Sequence, residues 1–135
     1  MKQLVLHLLT RKGLHALQAL CEAGLQPMVA AVEYAHDAAN ADDCAKEIAA
    51  LAAGQGIAAV ARGAPTAFPP AAYHLAIGWR WLIHGIPPER LVVMHDSPLP
   101  RYRGFAPLVN MLINGEPELG VTALLGAAEY DRGPI

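Results

Sequence analysis

Charge, aromatic residues and cysteine are all scarce in this 135-residue chain. Charged residues make up 16% of it, aromatic ones 6%, and there are two cysteines. With ten Lys and Arg and a net charge of −2, it lacks the clustered cationic excess of a nucleic-acid-binding face. Two cysteines, Cys21 and Cys44, are too few for a disulfide framework and read as reduced thiols of a cytoplasmic protein. No apolar run has the length of a membrane span, so no membrane partner is expected. The opening MKQLVLHLLT runs straight into Arg11 and Lys12 with no small-residue cleavage site, and reads as a first strand rather than a signal peptide. Gly-x-Gly-x-x-Gly does not follow that strand, which disfavours dinucleotide binding. His7, His15 and His36 have no partners at metal-ligand spacing. They read as strand, helix and loop residues, and His74 and His84 likewise as structural, so no metal is expected.

What is present is a 54% hydrophobic, Ala-rich composition, suited to one small domain with a single core. Gln3 to Leu9 reads as a strand. Thr10 is placed to cap a helix that carries Leu14, Leu17, Leu20 and Cys21 at helical spacing and stops at Gly24. Met28 to Val32 reads as a second strand, completing a βαβ opening. A polar loop from Glu33, a helix over about 41–53 and a short strand over 57–60 follow. RGAPTAFPP then breaks regular structure, because its prolines cannot sit in a central strand. A strand over 71–77 leads into Gly78-Trp-Arg-Trp-Leu-Ile. The expected order is β-α-β-α-β-loop-β-α-β-α-β with five or six strands: an α/β, doubly wound, mostly parallel sheet.

The last third carries the chemistry. Leu91 to Met94 reads as a buried strand ending at His95 and Asp96. A Pro- and Arg-rich loop runs from Ser97 to Gly104, a helix spans about 105–114, and a strand over 119–125 leads to a turn at Asp131. Ligands of open α/β sheets bind beyond the carboxyl ends of strands. If the two strands are neighbours, His95 and Asp131 can meet there. Taken alone, His95 is a hydrogen-bonded strand-end residue and Asp131 a turn residue.

The pattern His95-Asp-Ser-Pro-Leu-Pro-Arg-Tyr-Arg-Gly104, then Gly115, Gly120-Val-Thr122 and Asp131-Arg-Gly133, resembles the formyltransferase family. The resemblance implies a Rossmann-like catalytic domain over 1–135, shorter than is usual in the family. It implies transfer of a formyl group from 10-formyltetrahydrofolate to an amine of a larger acceptor, an amino-sugar nucleotide or similar, with a small-molecule or nucleotide-linked amine as partner, and it leaves a homo-oligomer open. By resemblance His95 and Asp131 are catalytic. Gly78, Trp79, Arg80, Trp81, Leu82, Glu129 and Tyr130 contact the folate, and Ser97 and Arg103 contact the acceptor. Without the resemblance, Arg101 and Arg103 suit either a phosphate or carboxylate contact or a loop anchor, equally so for Arg103, and Trp79 and Trp81 suit simple packing. One position departs from the family: Val93 stands where relatives have a catalytic Asn, and valine donates no hydrogen bond. That substitution supports an alternative, a non-catalytic folate- or ligand-binding module of the same fold.

Overall fold

A computed structural model describes residues 3–127 and 132–135. Among the described residues the class is α/β with six strands, mostly parallel. The chain divides into two compact units, Met1–Trp81 and Leu82–Ile135.

In the first unit, β1 (Leu4–Leu8), β2 (Val29–Tyr34), β3 (Ala58–Ala61) and β4 (Tyr73–Ile77) run parallel in the order β3-β2-β1-β4. Helices α1 (Thr10–Glu22) and α2 (Ala45–Gly54) make the β1–β2 and β2–β3 crossovers. Side chains alternate across a strand. Leu6 and Leu8 therefore enter a core with Leu17 of α1, Val32 of β2 and Ile48 of α2, all buried. Complete burial of such a side chain stabilises by about 1.5–3 kcal/mol. Val5 and His7 point to the other face, where Phe68 of the Pro-rich loop lies against His7. Helix α1 ends as its sequence suggests: Gly24 takes φ 72° and the Leu25 amide donates to the Leu20 carbonyl.

In the second unit, β5 (Leu91–His95) pairs antiparallel with β6 (Thr122–Leu125), and α3 (Pro107–Ile113) lies between them in sequence. The chain returns along β6, where the Leu125 amide donates to the Pro134 carbonyl at 2.7 Å.

Three local expectations are corrected. Thr10 does not cap α1; it is the first helical residue, at φ 63°, and Leu9 occupies the cap with no side-chain bond. Strand β2 extends through Glu33 and Tyr34, because Glu33 pairs with His7 on β1 and Val60 on β3. No α-helix joins β4 to β5; a 3-10 turn, Pro88–Arg90, precedes β5. In this antiparallel pair the end of β5 and the end of β6 lie at opposite ends. His95 lies opposite Thr122, at the start of β6, whereas the end of β6 lies opposite Val92. Asp131 itself lies outside the described residues.

Candidate functional site

His95 is the last residue of β5 and is 8% exposed. Its Nε2 lies 2.8 Å from the Tyr102 carbonyl oxygen. A carbonyl only accepts, so Nε2 carries the proton and a neutral ring keeps its lone pair at Nδ1. The loop that provides this carbonyl is closed on itself. The Ser97 hydroxyl, fully buried, donates to the carbonyls of Arg101 at 2.7 Å and Tyr102 at 3.2 Å. Thr122, across the β5–β6 pair, donates to the Ser97 carbonyl at 2.6 Å and accepts from the Leu99 amide at 3.0 Å. Gly120 allows this closure, since a Cβ there would meet Pro98 at 3.2 Å.

Tyr102 is the hub of the loop. It sits at φ 57°, a conformation that costs a side-chain-bearing residue about 1–2 kcal/mol. Such strain persists only where the surroundings fix it. Here the fixing groups are Ser97 and His95 on its carbonyl and Glu116 on its hydroxyl, at 2.5 Å. Asn114 donates to the same hydroxyl at 3.0 Å, and Arg101 donates to Glu116 at 2.7 Å. Hydrogen bonds from Tyr102 and Arg101 hold the Glu116 carboxyl below the usual carboxylate range. Arg101 thus anchors the loop, one of the two roles its sequence position allows. Arg103 is exposed on the same loop. Tyr102 and Glu116 are the residues that sequence reasoning passes over. The only signal for them is a Tyr between two arginines and a Glu directly after Gly115.

In the first unit, Gly78 follows β4 at φ 69°, and a Cβ there would stand 2.8 Å from the Leu9 carbonyl oxygen. Beyond it, the backbone through Trp79, Arg80 and Trp81 is irregular. The Trp79 and Trp81 rings meet edge to face at 5.3 Å, and the Arg62 guanidinium lies 4.0 Å over Trp81. Arg80 is ion-paired with Asp37, whose other carboxylate oxygen accepts from the Ala39 amide. Leu82 opens the second unit and is exposed.

Among the candidate residues, the structure thus links His95 with Ser97 through the Tyr102 carbonyl, and Trp79 with Trp81 through ring contact. Glu129, Tyr130 and Asp131 lie outside the described residues. Val93 is on β5 opposite Leu124. Among the described residues no His, Cys, Asp and Glu group could hold a metal ion, and no helix is long and apolar enough to cross a membrane.

Comparison with known proteins bears on this geometry. The formyl transferase family matches residues 59–135. The methionyl-tRNA formyltransferase of Trichlorobacter lovleyi is 52% identical over 50 residues, covering 37% of this chain and 16% of that protein. Its counterpart from Pelobacter propionicus is 54% identical over 50 residues, with the same coverage. The matched stretch therefore spans well under a fifth of these curated relatives. Three solved structures share the fold. Glycinamide ribonucleotide transformylase 1 from Symbiobacterium toebii has a TM-score of 0.69 at 22% identity, covering 98% of this chain and 69% of that one. Phosphoribosylglycinamide formyltransferase from Streptococcus pneumoniae TIGR4 has a TM-score of 0.71 at 15% identity, covering 99% and 78%. A sugar 3N-formyl transferase, solved with dTdp and 5-N-Formyl-THF, has a TM-score of 0.69 at 18% identity, covering 98% and 49%. At these identities the likeness is one of fold.

Proposed function

This chain belongs to the formyl transferase family, and on that premise we propose that residues 1–135 form a catalytic domain that moves a formyl group from 10-formyltetrahydrofolate to an amine. The acceptor in this reading is an amine of a larger molecule, an amino-sugar nucleotide or similar. A net charge of −2 supports it over a large polyanionic acceptor. The setting is the cytoplasm, in keeping with the free thiols of Cys21 and Cys44.

The observation that carries the reading is the fixed ring of His95. In formyl transfer the amine nitrogen bonds to the formyl carbon, the bond from that carbon to the folate nitrogen breaks, the amine loses one proton and the folate nitrogen gains one. The protein must stabilise the oxyanion formed between these events and carry the proton. In this scheme His95, its ring oriented by the Nε2 hydrogen bond to the Tyr102 carbonyl, carries the proton, and once protonated the ring donates to the oxyanion. Asp131 serves in this scheme as the carboxylate that favours the charged ring. Ser97 spends its hydroxyl within the loop, so its part is to position the Tyr102 carbonyl. Arg103 meets the acceptor. Gly78, Trp79, Arg80, Trp81, Leu82, Glu129 and Tyr130 make up the folate contacts.

A second reading rests on Val93. Without a donor side chain at this position the site lacks one oxyanion partner, and a pocket that binds folate without turnover is the alternative. The test is formyl transfer to amino-sugar nucleotides. His95→Gln lowers turnover by about 10²–10⁴, and Val93→Asn raises it by about 10²–10³. Wild-type turnover no faster than the uncatalysed reaction, unchanged by Val93→Asn, rejects the enzyme in favour of the binding module.

A further inference from the structure

The first unit contains a second group of titratable side chains, which the formyl-transfer reading does not use. Glu33 on β2, His7 on β1 and His74 on β4 stand on adjacent parallel strands. Glu33 is the register partner of His7. His74 is the partner of Val5, which shares a strand face with His7. The Nδ1 of His7 lies 2.5 Å from the Glu33 carboxylate, and its Nε2 lies 2.9 Å from Nδ1 of His74. The two rings are stacked at 5.2 Å. Both histidines are 2% exposed, while the Glu33 side chain is 18% exposed and meets the solvent. Phe68 covers both imidazoles edge-on, and Trp79 meets His7 at 5.4 Å. Arg62 lies over Trp81, and Arg80 is paired with Asp37.

The nitrogens point at one another and at the carboxylate rather than at a common centre, so they form a chain and not a metal-ligand set. With Glu33 ionised and His74 neutral, hydrogen bonding permits two arrangements of this chain. In one, His7 is neutral, its Nδ1–H donates to Glu33, and its Nε2 accepts from the Nδ1–H of His74; Nε2 of His74 is then the bare nitrogen. In the other, His7 carries both protons, its Nε2–H donates to Nδ1 of His74, and His74 holds its single proton at Nε2. The two differ by one proton. A proton taken at Nε2 of His74, together with transfer of the bridging proton across the 2.9 Å contact, converts the first into the second. His74 is neutral in both, and Glu33 balances the charge that forms on His7. The three groups then carry one negative charge in the first arrangement and none in the second.

We propose that Glu33, His7 and His74 form a one-proton relay, distinct from His95, that converts between these arrangements as a unit and changes the charge beside Trp79. The proposal is independent of the acceptor and of formyl transfer. Histidine ring ¹⁵N resonances of the whole protein, followed from pH 8 to pH 4, test it. His74 is expected to exchange its tautomer with the same midpoint at which His7 takes up a proton. Trp81→Phe leaves Trp79 as the sole indole, and its fluorescence is expected to change at that midpoint. Glu33→Gln, checked for folding by its amide spectrum, is expected to separate the responses of the two rings. Should Glu33→Gln not fold, the shared midpoint of the wild-type rings and of Trp79 decides. Independent titration of the two rings, a His74 ring that keeps one tautomer while His7 titrates, or no change in either ring in the folded protein overturns the relay.

Discussion

Thr122 holds Ser97 across the β5–β6 pair: its hydroxyl donates to the Ser97 carbonyl at 2.6 Å and accepts from the Leu99 amide at 3.0 Å. One side chain thereby satisfies two main-chain groups of the loop that positions His95. Thr122→Val keeps the shape and strand preference but leaves both groups without this partner. The expected loss is about 1–3 kcal/mol in chemical denaturation. In the formyl-transfer reading turnover falls further than folate binding does, because His95 loses its fixed carbonyl.

Gly78 is the second point at which a small change should have a large effect. Its positive φ alone costs a side-chain-bearing residue about 1–2 kcal/mol, and a Cβ would press on the Leu9 carbonyl, which also accepts from the Gly13 amide. Gly78→Ala is expected to destabilise the protein by about 2 kcal/mol or more in thermal or denaturant unfolding. Gly85, also at positive φ but with open space around it, gives the conformational part alone when changed to Ala. The smaller loss at Gly85 separates contact from conformation.

The His74 ring sets a pH dependence with a defined sign. Burial, with a smaller contribution from His7, pushes it down to about 4, while the unfolded chain titrates near 6.5. Between those values the unfolded state binds more protons than the folded one. Stability from this group is therefore full above about pH 6.5 and is lost as pH falls toward 4. Denaturation midpoints measured across that window should decline on acidification, and His74→Gln should flatten the slope.

The parts of this fold that the sequence discloses are those governed by local pattern. The apolar runs at Leu4–Leu8 and Leu91–His95, the helical spacing of Leu14 and Leu17 and the stop at Gly24 all signal their structure within a few residues. His95 is legible because its motif is contiguous. Glu33 is not: a lone Glu after an apolar run reads as the start of a loop, and its partner His7 lies 26 residues away. His7 and His74 look solitary in sequence for the same reason, being 67 residues apart. The direction of β6 is equally hidden, since an apolar run has no sign. Tyr102 and Glu116 meet only once the loop has closed.

The most direct test of the central claim is calorimetric titration of the folded protein with a stable analogue of formyltetrahydrofolate. The account predicts micromolar binding to the wild type, lost on Trp79→Ala and retained in His95→Gln, which removes turnover alone. A folded wild-type protein that binds no folate analogue would contradict it.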